Sequence, residues 1–319
     1  MLELVQNNLL SPVVLAFVLG MIATLVRSDL RFPEELYVAL SIYLLLAIGL
    51  KGGVELSKTT LAEIWAPIAV TIFMGVATPV AAYAILRRLG GFNTPDSAAI
   101  AAHYGSVSVV TFLAATAFLN AAGVTYEMYM PALVAILEIP AIVVALLLAR
   151  MRMGGTTAWG EVFHEILSGR SILLLLGGLL IGALVGPQGF ESVSGFFVVP
   201  FHGILMLFLL EMGMVTARRL RDLRKVGLFL IAFGILVPIL HGAIGIALGK
   251  FVGMSMGGSM MLGVLVASAS YIAAPAAVRI ALPEANPSYY LTASLGITFP
   301  FNLTVGIPLY FALAKMLFE

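Results

Sequence analysis

The groups in this chain best placed to do chemistry are hydroxyls set inside long apolar runs. One stretch reads Gly105-Ser106-Val107-Ser108-Val109-Val110-Thr111, and another reads Ser268-Ala269-Ser270-Tyr271-Ile272-Ala273-Ala274-Pro275. An offset of 160 residues sets Ser108 on Ser268 and Thr111 on Tyr271. Small and helix-breaking residues among the hydroxyls predict a helix interrupted in mid-run at each place. A helix that restarts there presents free N–H groups and about half a positive charge, which suits a small anion. The opposite broken ends present carbonyls, which with hydroxyls suit a sodium ion. Gly105, Ser106, Ser108, Ser268, Ala269 and Ser270 are therefore the expected solute-binding positions, with Thr111 and Tyr271 among the ion-binding ones. Singly, small hydroxylated residues also let membrane helices pack closely. The matched pair is what points to a site.

Glu138 is the acidic residue in the middle of its own apolar run, where an ionisable group is costly and usually functional. It could neutralise a bound cation, carry a proton, or hold a neighbouring helix by a hydrogen bond. The same offset puts Thr298 on Glu138, and Asn302 is the polar counterpart on the last run. These three complete the expected ion-binding set. His103, His202 and His241 share no ligand spacing and no acidic cluster, so packing or a local hydrogen bond is expected of them. Glu211, before Gly213, is compatible with a position near either mouth. No nucleotide-binding loop, nucleophile set or metal motif occurs, so neither an enzyme nor a cofactor beyond a coupling sodium is expected.

The elements that must hold these residues are membrane helices. Of 319 residues, 61% are apolar and only 10% charged, and mean hydropathy is +1.09. A soluble domain carries about 25% charged residues. At ~20 apolar residues per span the length has room for about ten spans, and runs this long are helices rather than barrel strands. A net charge of +1 implies no nucleic acid as partner, and the absence of cysteine removes thiolate chemistry and disulfides. The N-terminus lacks a signal's basic region, so its first apolar run is read as a retained helix.

In order, the expected spans cover about Leu10–Val26, Pro33–Leu50, Leu61–Leu86, Asp96–Leu119, Tyr126–Leu148, Ser171–Val185, Phe196–Thr216, Val226–Leu248, Gly257–Ile280 and Ser288–Leu313. Pro79 inside the third is expected to kink it. A connector with an amphipathic piece joins the fifth to the sixth. With the N-terminus outside, thirteen of the seventeen Lys and Arg fall on inner connections, and Lys51, Lys58, Lys250 and Lys315 fall outside. That bias places both termini extracytoplasmic, in the inner (plasma) membrane of the cell. The basic segment Arg218 to Lys225 reads as an orientation signal against anionic membrane lipid.

Gly53 falls on Gly213 and Pro140 on Pro300 at the same offset, which turns ten spans into five plus five. An odd number of spans per unit makes the repeat inverted, with the site at mid-membrane between crossing interrupted helices. The expected organisation is residues 1–150 as the first five-helix repeat, 151–170 as a cytoplasmic connector and 171–319 as the second repeat.

These residues also resemble the sodium-dependent bicarbonate permeases of the cyanobacterial type, nearly end to end. The likeness is strongest at Gly105 to Thr111, Tyr126-Glu127 and Glu138-Ile139-Pro140-Ala141, then at Ala267 to Pro275, Pro283-Glu284-Ala285-Asn286-Pro287-Ser288 and Gly306-Ile307-Pro308-Leu309. The resemblance implies a gate domain and a core domain, a homotrimer, and bicarbonate and sodium beside the crossing half-helices. It also implies elevator-like movement and, in some members, inhibition by a small trimeric cytoplasmic regulator. The chain departs from the pattern at Tyr271 and Glu138, where the family has aspartate, and at Val109-Val110, where it has Gly-Ser. The connector is also much shorter. Sodium-coupled uptake of bicarbonate or a similarly small anion is the expected function. A proton-coupled permease for a small organic acid, and an anion-binding channel or sensor, are the alternatives.

Overall fold

The computed structural model describes residues 6, 8–153 and 158–319. The Gly154-to-Thr157 part of the expected connector lies outside them, as do the side chains of Arg224 and Lys225 in the basic segment. The helices are α1 (Pro12–Leu25), α2 (Glu34–Leu56), α3 (Leu61–Arg88), α4 (Thr94–Gly105), α5 (Val109–Ala121), α6 (Met130–Met153) and α7 (Trp159–Ser168). They continue with α8 (Arg170–Phe197), α9 (Phe201–Leu220), α10 (Leu223–Phe251), α11 (Met256–Val266) and α12 (Ala273–Ala281), and close with α13 (Pro287–Phe318). Eight segments among the described residues are long and apolar enough to cross a membrane, one of them being α4 and α5 together; α1 and α11 are shorter apolar helices. No strand occurs among the described residues.

Two boundaries differ from the sequence reading. The sixth span does end at Val185, where Gly186 leaves the helical conformation, but a second helical piece follows to Phe197, so Phe196 closes that piece and the next helix starts at Phe201. Gly186 takes φ +61°, a turn open to glycine, and Pro187 then fits the first turn of the resumed helix. In the last run Pro300 and Pro308 do not break α13, because π-helical turns at Thr292–Thr298 and Asn302–Gly306 take up the strain of the missing N–H groups. α3 likewise runs on through Pro67 and Pro79. The amphipathic piece of the connector is α7, which buries Val162 and Ile166 and packs on α12 and α8.

Membrane helices gain little from the hydrophobic effect against one another, so close backbone approach at small residues holds them together. α1 crosses α9 where a Cβ on Gly20 would fall 1.9 Å from the Leu210 carbonyl oxygen, and one on Gly213 would fall 2.0 Å from that of Phe17. α2 crosses α8 in the same manner. There Gly53 and Gly182 leave 2.1 Å each to the carbonyl oxygens of Leu179 and Leu50. Beside this frame, α3 packs on α4 and α6, and α10 packs on α11 and α13.

Two clasps fix the starts of the broken helices. Glu127, before α6, accepts from the Ser255 N–H (2.6 Å) and hydroxyl (3.0 Å) at the start of α11. Asp96, in the first turn of α4, accepts from the Asn286 N–H at 2.7 Å, while the Asn286 side chain caps α13 by accepting from Ser288 N–H. A carboxylate at a helix N-terminus is favoured by the dipole, and charge-assisted bonds of this kind are the strong ones. Asp96→Ala should therefore lower unfolding stability by about 2 kcal/mol. Thermal unfolding of the purified protein checks this, and an unchanged melting temperature refutes it.

Candidate functional site

α4 stops at Gly105 because Ser106 adopts extended backbone (φ −87°, ψ −179°). Only glycine fits before the break, since a Cβ there would lie 2.7 Å from Pro79 Cδ and 2.9 Å from Ala141 Cβ. Ser108 then caps α5, its hydroxyl accepting from the Thr111 N–H at 3.1 Å and the Thr111 hydroxyl at 3.0 Å. In the other run α11 stops at Val266 and α12 starts at Ala273. Ser270 Oγ accepts from the Ala274 N–H at 3.2 Å, inside the first turn of α12. The two interruptions are bonded to each other. Ser108 N–H donates to Ser268 Oγ at 2.8 Å, and Ser270 N–H donates to the His103 carbonyl at 2.8 Å. Ser268 Oγ–H in turn donates to the Leu265 carbonyl at 2.7 Å.

The starts of α5 and α12 thus meet at one small cavity of about 10 Å³, the room of about one water. Val107 to Val109 line it from one side and Ser270 to Ile272 from the other, with Glu138 from α6 and Ser171 from α8. Glu138 Oε2 is buried without a hydrogen-bond partner among the described residues, and so are Ser106 Oγ and His103 Nε2. Buried polar atoms are nearly always bonded, so these three are exceptions, and of their residues Glu138 lines the cavity. His103 Nδ1 lies 2.7 Å from the Ala99 carbonyl and must carry the proton, while its ring stacks on Tyr290 at 4.6 Å. The Tyr271 hydroxyl lies beside Ser108 but makes no well-formed hydrogen bond. Its ring meets Phe299 edge-on at 5.3 Å.

The last helix braces both broken ends. Thr298 donates to the Gly234 carbonyl at 2.7 Å and therefore accepts from Tyr104 Oη at 2.6 Å, next to the end of α4. Asn302 donates to the Ala267 carbonyl at 2.9 Å, just past α11, and accepts from Tyr310 Oη at 3.0 Å.

A family profile described as the Na+-dependent bicarbonate transporter superfamily matches residues 12–315. The chain belongs to this superfamily. No individual curated protein matches it. Membership in the bicarbonate transporter superfamily, with the apolar helices above, makes it a multi-pass membrane transporter and not an enzyme.

For this superfamily member the sequence-derived positions divide by place. Ser108, Ser270, Tyr271 and Glu138 share the cavity, with Thr111 and Ser268 bonded to Ser108. Gly105, Ser106 and Ala269 are buried within the two interruptions. Thr298 and Asn302 do not line the cavity: their side chains are bonded to the Gly234 carbonyl within α10 and to the Ala267 carbonyl just past α11. Sequence reasoning missed Asp96, Glu127 and Tyr104. The signal for Asp96 was present in Asn93-Thr94-Pro95-Asp96, which has a capping residue, a proline and an acid in helix-start order. Glu127 stands in the Tyr126-Glu127 pair that carries the family likeness, but nothing local gives its role, since its partner is 128 residues away.

Proposed function

We propose that this transporter is a secondary active symporter that takes up bicarbonate or a similarly small anion with sodium, at the crossing of α4–α5 with α11–α12. The observation that carries the reading is the convergence of two helix starts on one cavity, with Ser108 capping α5 and Ser270 accepting from the Ala274 N–H in the first turn of α12. A helix start offers N–H groups with no intrahelical partner, and two aimed at one point favour a single small anion. Ser108 and Ser270 then orient the oxyanion, and Ser106, Gly105, Ser268 and Ala269 keep the crossing compact. The cavity fits about one water in this conformation, so Tyr271 and Ile272 must move for a solute to enter. Sodium would use the oxygen-rich side, with Glu138 supplying charge, Thr111 and Tyr271 flanking it, and Thr298 and Asn302 fixing the carbonyl ends. Sodium here is cargo.

The five-plus-five inverted repeat is supported by one contact between mates and by two frame crossings built from residues at matching positions. Ser108 bonds its own mate, 160 residues on. The crossing of α1 with α9 uses Gly20 on Leu210 and Gly213 on Phe17, and that of α2 with α8 uses Gly182 on Leu50 and Gly53 on Leu179. The equivalent residues of the two crossings stand 160 (Gly53 and Gly213, Leu50 and Leu210) or 162 (Gly20 and Gly182, Phe17 and Leu179) positions apart. This favours residues 1–150 and 171–319 as the two repeats, with 151–170 on the cytoplasmic side by the basic-residue bias. A second reading, in which a proton replaces sodium, is favoured by the unpartnered Glu138 Oε2.

Proteoliposomes loaded without sodium decide between them. An inward sodium gradient should drive accumulation of labelled bicarbonate at least tenfold over equal sodium on both sides. Accumulation under a pH gradient alone would assign the coupling to a proton. No uptake under either gradient would overturn the symport reading.

A further inference from the structure

A second, much larger cavity lies away from the serine-lined one and shares no lining residue with it. It holds about 770 Å³ between α1, α5 and α9, and is walled mainly by Val13, Val14, Ala114, Ala117, Phe118 and Met206. Beside it, a chamber of about 90 Å³ between α2, α5 and the start of α9 contains Lys51, Thr116 and Tyr126. Asn120 and His202 line both, so the two spaces adjoin. The larger falls in the size range of small-molecule sites and has their composition, mostly apolar with a few polar groups, Asn8, Ser11, Asn120 and His202.

Charge defines the occupant. The Lys51 side chain is exposed and forms no ion pair among the described residues. No Asp or Glu lines either space among those residues. A purely polar solute would leave the apolar wall without a partner, and an uncharged hydrocarbon would make no use of Lys51 or His202. We propose that the paired cavities bind an amphipathic monocarboxylate, its acyl or aryl tail in the large chamber and its carboxylate at Lys51, with His202 and Asn120 at the junction. Such a ligand would touch α1 and α9 of the glycine-locked frame on one side and α5 on the other. This site stands or falls independently of the transport reading.

Photolabelling tests it on the full chain in phosphatidylcholine nanodiscs, with a diazirine-bearing palmitic acid as probe and the matching alcohol as control. The acid should label peptides covering residues 114–122 and 202–206 saturably, and laurate should compete it away. Lys51→Gln should weaken labelling by the acid about tenfold, the value of one charge-assisted contact, and leave the alcohol unchanged. Ala117→Trp or Met206→Trp, which fill the chamber from opposite walls, should remove the labelling. The wild-type comparison of acid with alcohol decides the matter even if a tryptophan variant folds poorly. Equal, unsaturable labelling by both probes, matching that at the exposed Leu19 and Leu180, would mean contact with bilayer chains only and overturn the proposal. So would acid labelling unaffected by Lys51→Gln, or no labelling at either segment.

Discussion

A Ser108→Leu, Ser270→Leu double variant should show no bicarbonate uptake above empty liposomes while staying folded in the membrane. Each leucine puts a branched apolar side chain where the cavity leaves about 10 Å³, covering the N–H groups at the starts of α5 and α12. Ser108→Leu also removes the cap of α5, worth about 1 kcal/mol, and Ser270→Leu removes the hydroxyl that accepts from the Ala274 N–H. Overpacking adds about 1–3 kcal/mol per site, so abundance in the membrane and elution profile are measured beside uptake. Ser108→Thr keeps a capping hydroxyl and should retain a measurable fraction of the rate. The pair of measurements separates a blocked site from a damaged fold. Uptake by the double variant at the wild-type rate would remove the crossing from the transport path.

The second large effect concerns the frame. Gly213→Val should abolish recovery of monodisperse protein, because even its Cβ would sit 2.0 Å from the Phe17 carbonyl oxygen, with backbone on both sides unable to give way. Gly53→Val should be equally damaging, since its Cβ meets the Leu179 carbonyl at 2.1 Å. Gly177→Val is the matched control: it lies in α8 with nothing within 4 Å of the added Cβ, so its yield should match wild type. Size-exclusion chromatography of detergent extracts reads all three. A normal elution profile for Gly213→Val would mean that α1 and α9 can separate without loss of the fold.

Much of this architecture was legible because its signals are local or periodic. Apolar run length located the helices, and serines beside Gly105 and Pro275 announced two interruptions. The offset of 160 was visible because Ser108 and Ser268 sit on short conspicuous stretches. The offset of 162 between α1 and α8 was hidden, since Gly20 and Gly182 each sit among many glycines and leucines. Gly186-Pro187 reads correctly as a stop, and what a one-dimensional scan does not show is that a further helical piece follows the kink to Phe197. Which hydroxyls stay uncommitted depends on partners far along the chain. Thr298 looked like the mate of Glu138, and only the fold reveals that Gly234 and Tyr104 already occupy it.

The glycine crossings bear on assembly. α1 finds its closest backbone partner in α9, and α2 finds its own in α8, so each crossing joins a helix before the connector to one after it. A ribosome that has made only the first 150 residues has therefore made two helices with open glycine faces and nothing to fill them. The early helices must wait in the bilayer, or in the care of the insertion machinery, until α8 and α9 emerge. In this sense the polypeptide is an obligate heterodimer whose subunits happen to share one messenger. Severing it within the connector removes no frame contact, whereas withholding either piece leaves the other without its counterpart.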